Sequence, residues 1–162
     1  MRVHLGSDHA GFALKAAATA WLTAAGHEPV DHGPATYQPE DDYPAYCLAT
    51  AAAVLAEPAS LGVVIGGSGN GEAIAANKVA GVRCIVAFSE ETARLGRAHN
   101  DAAVLSLGAR MYDEATALRY LEVFVSTPFS EDPRHARRIA QLADYERTGV
   151  LPDPPRPPAL GA

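Results

Sequence analysis

Residues 61–67 read LGVVIGG, and the chain continues as SGNGEAIAANK. An apolar, β-branched run with no polar alternation is the mark of a strand buried on both faces, the situation inside a parallel sheet. Parallel neighbours need crossover connections, usually helical, and the rest of the chain supplies them. Strand-like runs stand at 3–7 (VHLGS), 28–33 (EPVDHG), 82–88 (VRCIVAF) and 102–108 (AAVLSLG). Helix-like segments fall at 10–26, 43–57, 71–79, 89–100, 113–127 and 132–147. Gly26 stops the first, Pro58 closes the second and Ser89 is placed to cap the fourth. The alternation predicts an α/β fold: a Rossmann-like, doubly wound, five-stranded parallel sheet flanked by helices. Ligands in such sheets bind beyond the carboxyl ends of the strands. Ser7, Asp8 and His9 follow the first strand, Gly66 to Gly71 the third, and Gly108 to Arg110 the fifth. His99 and Asn100, just before the fifth strand, are grouped with them at the same rim.

The bulk properties narrow the function. The 162 residues fit one domain with one sizeable core, and 48% apolar with 20% charged residues is an ordinary globular balance. Thirteen Lys and Arg against 19 Asp and Glu leave a net charge of −6, which argues against nucleic acid or an anionic membrane as partner. No apolar run is long enough to span a bilayer, and the N-terminus lacks the pattern of a secretion signal, so a cytoplasmic protein is expected. Cys47 and Cys84 lie among apolar neighbours and read as buried small hydrophobes rather than a disulfide. The domain is expected over 1–149. The tail 150–162, with five prolines, is expected to be extended or disordered and is assigned no chemistry.

The loop GGSGNG lacks the Lys-Ser/Thr ending of a P-loop and the GxGxxG spacing of dinucleotide folds. Strand, glycine turn and helix start still present free N–H groups and a positive dipole end, here from Gly67, Ser68, Gly69, Asn70 and Gly71. These can hold a phosphate, or an oxyanion that exists only during a reaction. Glu72 has two readings: the third residue of a helix capped at Gly69, or a general base beside a carbonyl. Asp8 and His9 read as helix capping or as site residues. His99 and Asn100 form a candidate side-chain pair. Arg134 and Arg138, four apart, share a helix face. That face suits a phosphate dianion, or a solvated surface paired with Asp132, Asp144 or Glu146. His4, His27, His32 and His135 make no metal-ligand spacing, so no metal is expected.

Taken together, GSDHAGF, GVVIGGSGNGEAIAANKVAGVR and HNDAAVLSLGAR resemble the type B ribose-5-phosphate isomerases, a family that includes galactose-6-phosphate and allose-6-phosphate isomerases. The resemblance covers about residues 1–147. It implies a metal-free, cofactor-free aldose–ketose isomerase, a homodimer or dimer of dimers, with active sites built from two subunits. Residue by residue, it implies that Asp8 and His9 contact the sugar, with Tyr43 beside them. Gly67, Ser68 and the loop N–H groups cradle the enediolate, His99 opens the ring, and Asn100 is its hydrogen-bonding neighbour. Arg134 and Arg138 clamp the phosphate, helped by His9 and Arg110. His99, Asn100 and Arg110 come from the partner subunit. Many members carry a cysteine base where this chain has Gly66, a threonine at Ser68 and an apolar residue at Glu72. The thiol is gone and a carboxylate stands six residues on, which marks a relocated base and resembles the actinobacterial branch. The implied reaction is ribose 5-phosphate to ribulose 5-phosphate. Isomerisation of allose-6-, galactose-6- or a tetrose phosphate, and a non-catalytic phosphate-binding module, stand as alternatives.

Overall fold

The computed structural model describes residues 1–154; most of the proline-rich tail lies outside the described residues. The strands are β1 (Arg2–Ser7), β2 (Glu28–Asp31), β3 (Leu61–Gly66), β4 (Cys84–Val86) and β5 (Val104–Gly108). The helices are α1 (Phe12–Ala24), α2 (Tyr43–Ala56), α3 (Asn70–Ala76), α4 (Glu90–Asn100), α5 (Glu114–Ser126) and α6 (Pro133–Thr148). All strand pairs are parallel and the order is β2-β1-β3-β5-β4, the expected doubly wound sheet. The winding goes outward from β1 to β2, then reverses to β3 on the other side of β1. The crevice of a doubly wound sheet opens at such a reversal, at the carboxyl ends.

Strand alternation splits the core in two. Val63, Ile65, Leu105 and Leu107 point to one face, with Leu14 and Leu22 of α1 and Leu121 and Phe124 of α5. Val64 and Val104 point to the other, with Cys47, Ala51 and Val54 of α2 and Ala73 and Ala76 of α3. Small residues on α2 and α3 let these helices lie close to the strands. Burial pushes both thiols up, that of Cys47 to about 12, so each behaves as an inert apolar group.

Element ends follow side-chain chemistry more than periodicity. α1 begins at Phe12, not residue 10, because residues 8–11 form a turn whose N–H groups bond Asp8. α3 ends at Ala76 because the Asn77 side chain takes over, donating to Ala73 O and Cys84 O and accepting the Cys84 N–H. β4, on the sheet edge, pairs over Cys84–Val86 only, shorter than the apolar run around it. Ser89 caps α4 as expected, in a reciprocal pair with Thr92. α6 buries only His135, and Leu142 and Tyr145 on it and Ile74 on α3 are left exposed. Among the described residues no helix is long and apolar enough to cross a membrane.

Phe124 is fully buried between α5 and the sheet. Replacement by alanine should lower the unfolding free energy by about 3–5 kcal/mol, read as a lower urea midpoint at unchanged slope.

Candidate active site

The third strand ends at Gly66, and the chain turns through Gly69 at φ 82° to start α3. A Cβ on Gly69 would stand 3.2 Å from Leu107 C and 3.3 Å from Gly108 N, so a left-handed conformation and close contact with β5 both demand glycine. β5 holds the loop in place. Ser106 Oγ donates to Gly69 O at 2.6 Å, and the N–H groups of Ala109 and Arg110 donate to Gly66 O and Gly67 O at 2.8 and 3.0 Å. Ser68 Oγ accepts the Asn70 N–H at 3.3 Å. The first-turn N–H groups of α3 thus open on the carboxyl rim.

Glu72 occupies the third helical position, as its spacing predicts, and is only 4% exposed. Its carboxyl folds back against the end of β3. A Cβ built on Gly66 would overlap Glu72 Oε1 and Cδ, so any side chain at 66 and the Glu72 carboxyl exclude one another. Burial raises the Glu72 pKa above the usual carboxylate value. The N–H groups of Glu72 and Gly69 pull it down, and the Asp8 charge pushes it up. Desolvation therefore prevails over the helix end, and the folded site holds its proton more tightly than the unfolded chain. This contribution to stability is present at low pH and is lost as pH rises through the Glu72 titration.

The neighbouring elements converge on the same rim. Asp8, 7% exposed, accepts from the N–H of Ala10 at 2.9 Å and of Gly11 at 3.2 Å; it closes the turn before α1 and does not cap that helix, whose N-cap Gly11 has no side-chain partner. Tyr43, at the start of α2, lays its phenol against Gly71, where an added Cβ would meet Oη at 2.8 Å. Arg110 lies over Gly67 beside Ala10. His9 bonds Asp41 of the β2–α2 loop through its backbone N–H at 2.8 Å and its Nδ1 at 3.0 Å. Asp8, His9, Tyr43, Ser68, Glu72 and Arg110 therefore share one rim of one chain.

His99 and Asn100 do not join them, which corrects the expectation that both histidines flank one rim. α4 runs back along the sheet and delivers its last turn to the amino ends of the strands. There Arg83, just before β4, donates to Asn100 O at 2.7 Å. A five-residue strand at about 3.3 Å per residue separates the rims by roughly 16 Å. The His99 ring stacks on the buried His135 of α6 with centroids 4.1 Å apart. Both rings line a cavity of about 350 Å³ with Asn100, Arg83 and Arg138. Arg134 opens the same helix and pairs with Asp132 at 3.3 Å, while Arg138 makes no ion pair among the described residues. Arg110 lies apart from His99 and Asn100, on the rim that holds Glu72, because it follows the carboxyl end of β5 and not its start.

Two side chains escaped the reading of the sequence. Asp41 sits in the run EDD, where nothing distinguishes the acid that turns inward from those that face water. His135 stands among arginines, and only the packing of α6 on α4 reveals it as the buried residue.

Comparison with known proteins gives the family. The family model described as Ribose/Galactose Isomerase matches residues 3–142. Ribose-5-phosphate isomerase B of Mycolicibacterium paratuberculosis is 55% identical, over 99% of this chain and 100% of that one. The protein of that name from Mycobacterium tuberculosis is 53% identical over 98% of both. Among solved structures, ribose-5-phosphate isomerase B of Mycoplasma genitalium, with bound ribulose-5-phosphate, superposes with a TM-score of 0.87 at 34% identity, over 91% of this chain and 97% of that one. The Clostridium thermocellum enzyme gives 0.88 at 36%, over 93% and 100%. The chain belongs to the ribose/galactose isomerase family, among its type B ribose-5-phosphate isomerases.

Proposed function

We propose that this protein interconverts ribose 5-phosphate and ribulose 5-phosphate through an enediolate, with Glu72 as the base, in the non-oxidative branch of the pentose phosphate pathway of the cytoplasm. The observation that carries the reading is the buried Glu72 carboxyl. It lies in the space left by the missing side chain at Gly66, with its pKa raised. A base whose pKa is lifted toward the working pH is a stronger proton acceptor than a surface carboxylate. The relative solved with ribulose-5-phosphate bound supports the substrate.

The chemistry runs as follows. His99 opens the furanose, with Asp8 at the ring oxygen. Glu72 takes the proton from carbon two, and the electron pair forms the C1–C2 double bond as the carbonyl at carbon one becomes an oxyanion. The loop N–H groups from Gly67 to Gly71, with Ser68, stabilise that oxyanion. The hydroxyl on carbon two passes its proton to the oxyanion on carbon one, and protonated Glu72 returns its proton to carbon one, which leaves the ketone at carbon two, a CH2OH group at carbon one and an ionised Glu72. Arg134 and Arg138 hold the phosphate, with His9 and Arg110 at its edge; Tyr43 and Asn100 bond the sugar.

These groups lie on two rims of one chain, so the reading requires two chains. In the proposed homodimer, His99, Asn100, Arg134 and Arg138 of one copy meet Glu72, Asp8, His9 and Arg110 of the other. The exposed Leu142, which lines the α6 cavity, and the exposed Ile74 and Tyr145, which line depressions sharing Asn77 with it, support a covered face there.

Turnover of ribose 5-phosphate against six-carbon sugar phosphates tests the substrate, and activity confined to the latter would contradict it. Glu72→Gln keeps size and should lower kcat by about 10²–10⁴, measured by ketose formation. Because the base must be ionised, kcat/KM of the unmodified enzyme should fall on the acid side through a pKa above the ordinary value of about 4.3, and this limb should vanish in the variant. Gly66→Cys should gain nothing while Glu72 fills its space. Combined with Glu72→Ala it should exceed Glu72→Ala alone by about tenfold, because the thiol then has room to act as base.

A further inference from the structure

We infer that Asp41 is a positioning residue for the isomerisation, holding the ring of His9 in one orientation and one tautomer. The inference rests on the reading of His9 as a substrate contact. One oxygen of Asp41, Oδ1, accepts both polar hydrogens that His9 offers on that side, the backbone N–H at 2.8 Å and ring Nδ1 at 3.0 Å. A carboxylate only accepts, so Nδ1 carries the proton and the opposite nitrogen, Nε2, is left with its lone pair free or available to carry a second proton. The His9 side chain is 28% exposed and that of Asp41 only 8%, so the pair has a buried anchor and an accessible working end. The double grip also ties the turn after β1 to the β2–α2 loop, two segments 32 residues apart.

The cost of this arrangement argues for a purpose. Asp41 Oδ2 is buried and has no hydrogen-bond partner among the described residues. The Tyr46 phenol lies close by, outside good hydrogen-bond geometry, and burial, then the charge and hydrogen-bonding pull of Asp41, push its pKa up. A buried carboxylate with one oxygen left without a well-formed hydrogen bond is an unfavourable way to fasten a loop. The adjoining Glu40 and Asp42 remain exposed, Asp42 at the N-cap position of α2 without a side-chain cap bond, so of the three acids only Asp41 turns inward. Asp41 is retained inward where it gives His9 a fixed hydrogen-bond direction. Arg110, over Gly67 and beside Ala10, the residue after His9, adds a cation to the same rim, where an anionic group of the substrate would be held.

The test uses the full chain and ribose 5-phosphate. Asp41→Ala should raise KM by about tenfold with kcat within about threefold, the pattern of lost binding outside the reacting bond. Asp41→Asn, whose amide oxygen can accept the same two hydrogens, should recover most of that loss. His9→Ala should raise KM comparably, and Asp41→Ala added to His9→Ala should cost nothing more, because the two act as one unit. Ring ¹⁵N shifts of His9 in the unmodified protein at about pH 9, where imidazoles are neutral, should report the Nδ1–H form. They need no variant to fold. The Nε2–H form overturns the inference, as does an Asp41→Ala enzyme with unchanged KM beside an impaired His9→Ala, or losses that simply add. An unaffected His9→Ala overturns the substrate contact itself, and the inference with it.

Discussion

The parallel pairing of all five strands is the constraint from which the rest follows. It sends every strand's carboxyl end to one rim and returns every crossover helix to the other. Glycine turns and helix starts therefore collect at one end of the molecule, and helix ends collect at the opposite end. Asp8, Glu72 and Arg110 follow strands, and they meet. His99 and Asn100 end a helix, so they stand a strand's length away with His135 and Arg138. No side-chain movement spans that distance. A site that needs both groups must draw on two chains, which is the basis of the proposed dimer.

Within the carboxyl rim, the Glu72 carboxyl occupies the place beside the end of β3 where a side chain on residue 66 would stand, the position from which the proposed base acts. The carboxyl fills the volume that a side chain on residue 66 would need. Gaining the glutamate and losing the side chain are thus one steric event. The opposing influences on Glu72 are also resolved. The backbone N–H groups of a helix start favour the anion, but burial beside Asp8 disfavours it more, and the net effect is a raised pKa. A raised carboxyl pKa makes the folded protein less stable as pH rises, a cost that the proposed role of Glu72 would offset.

Much of this was legible in the sequence because it is local. The run LGVVIGG implied a buried parallel strand, GGSGNGE implied a turn into a helix with Glu72 at its third position, and Ser89 implied a cap; each depends on contacts a few residues apart. The misplacement of His99 came from treating nearness to a strand as nearness to its carboxyl end, a matter of chain direction. Arg110, by contrast, was legible at the carboxyl rim because it directly follows β5. Asp41 and His135 were illegible for a different reason. Their roles arise from packing between distant segments, α6 on α4 and the β2–α2 loop on the turn after β1, and neither residue type nor spacing announces which acid or which histidine turns inward.

The central claim is that each active site combines the Glu72 rim of one chain with the His99 rim of another. Mixing two inactive variants, Glu72→Gln and His99→Ala, under conditions that exchange subunits tests it directly. A mixed dimer would have one doubly altered site and one wholly intact site, so an equimolar mixture should recover about a quarter of the unmodified activity. A mixture no more active than the mean of the two variants would contradict the shared site.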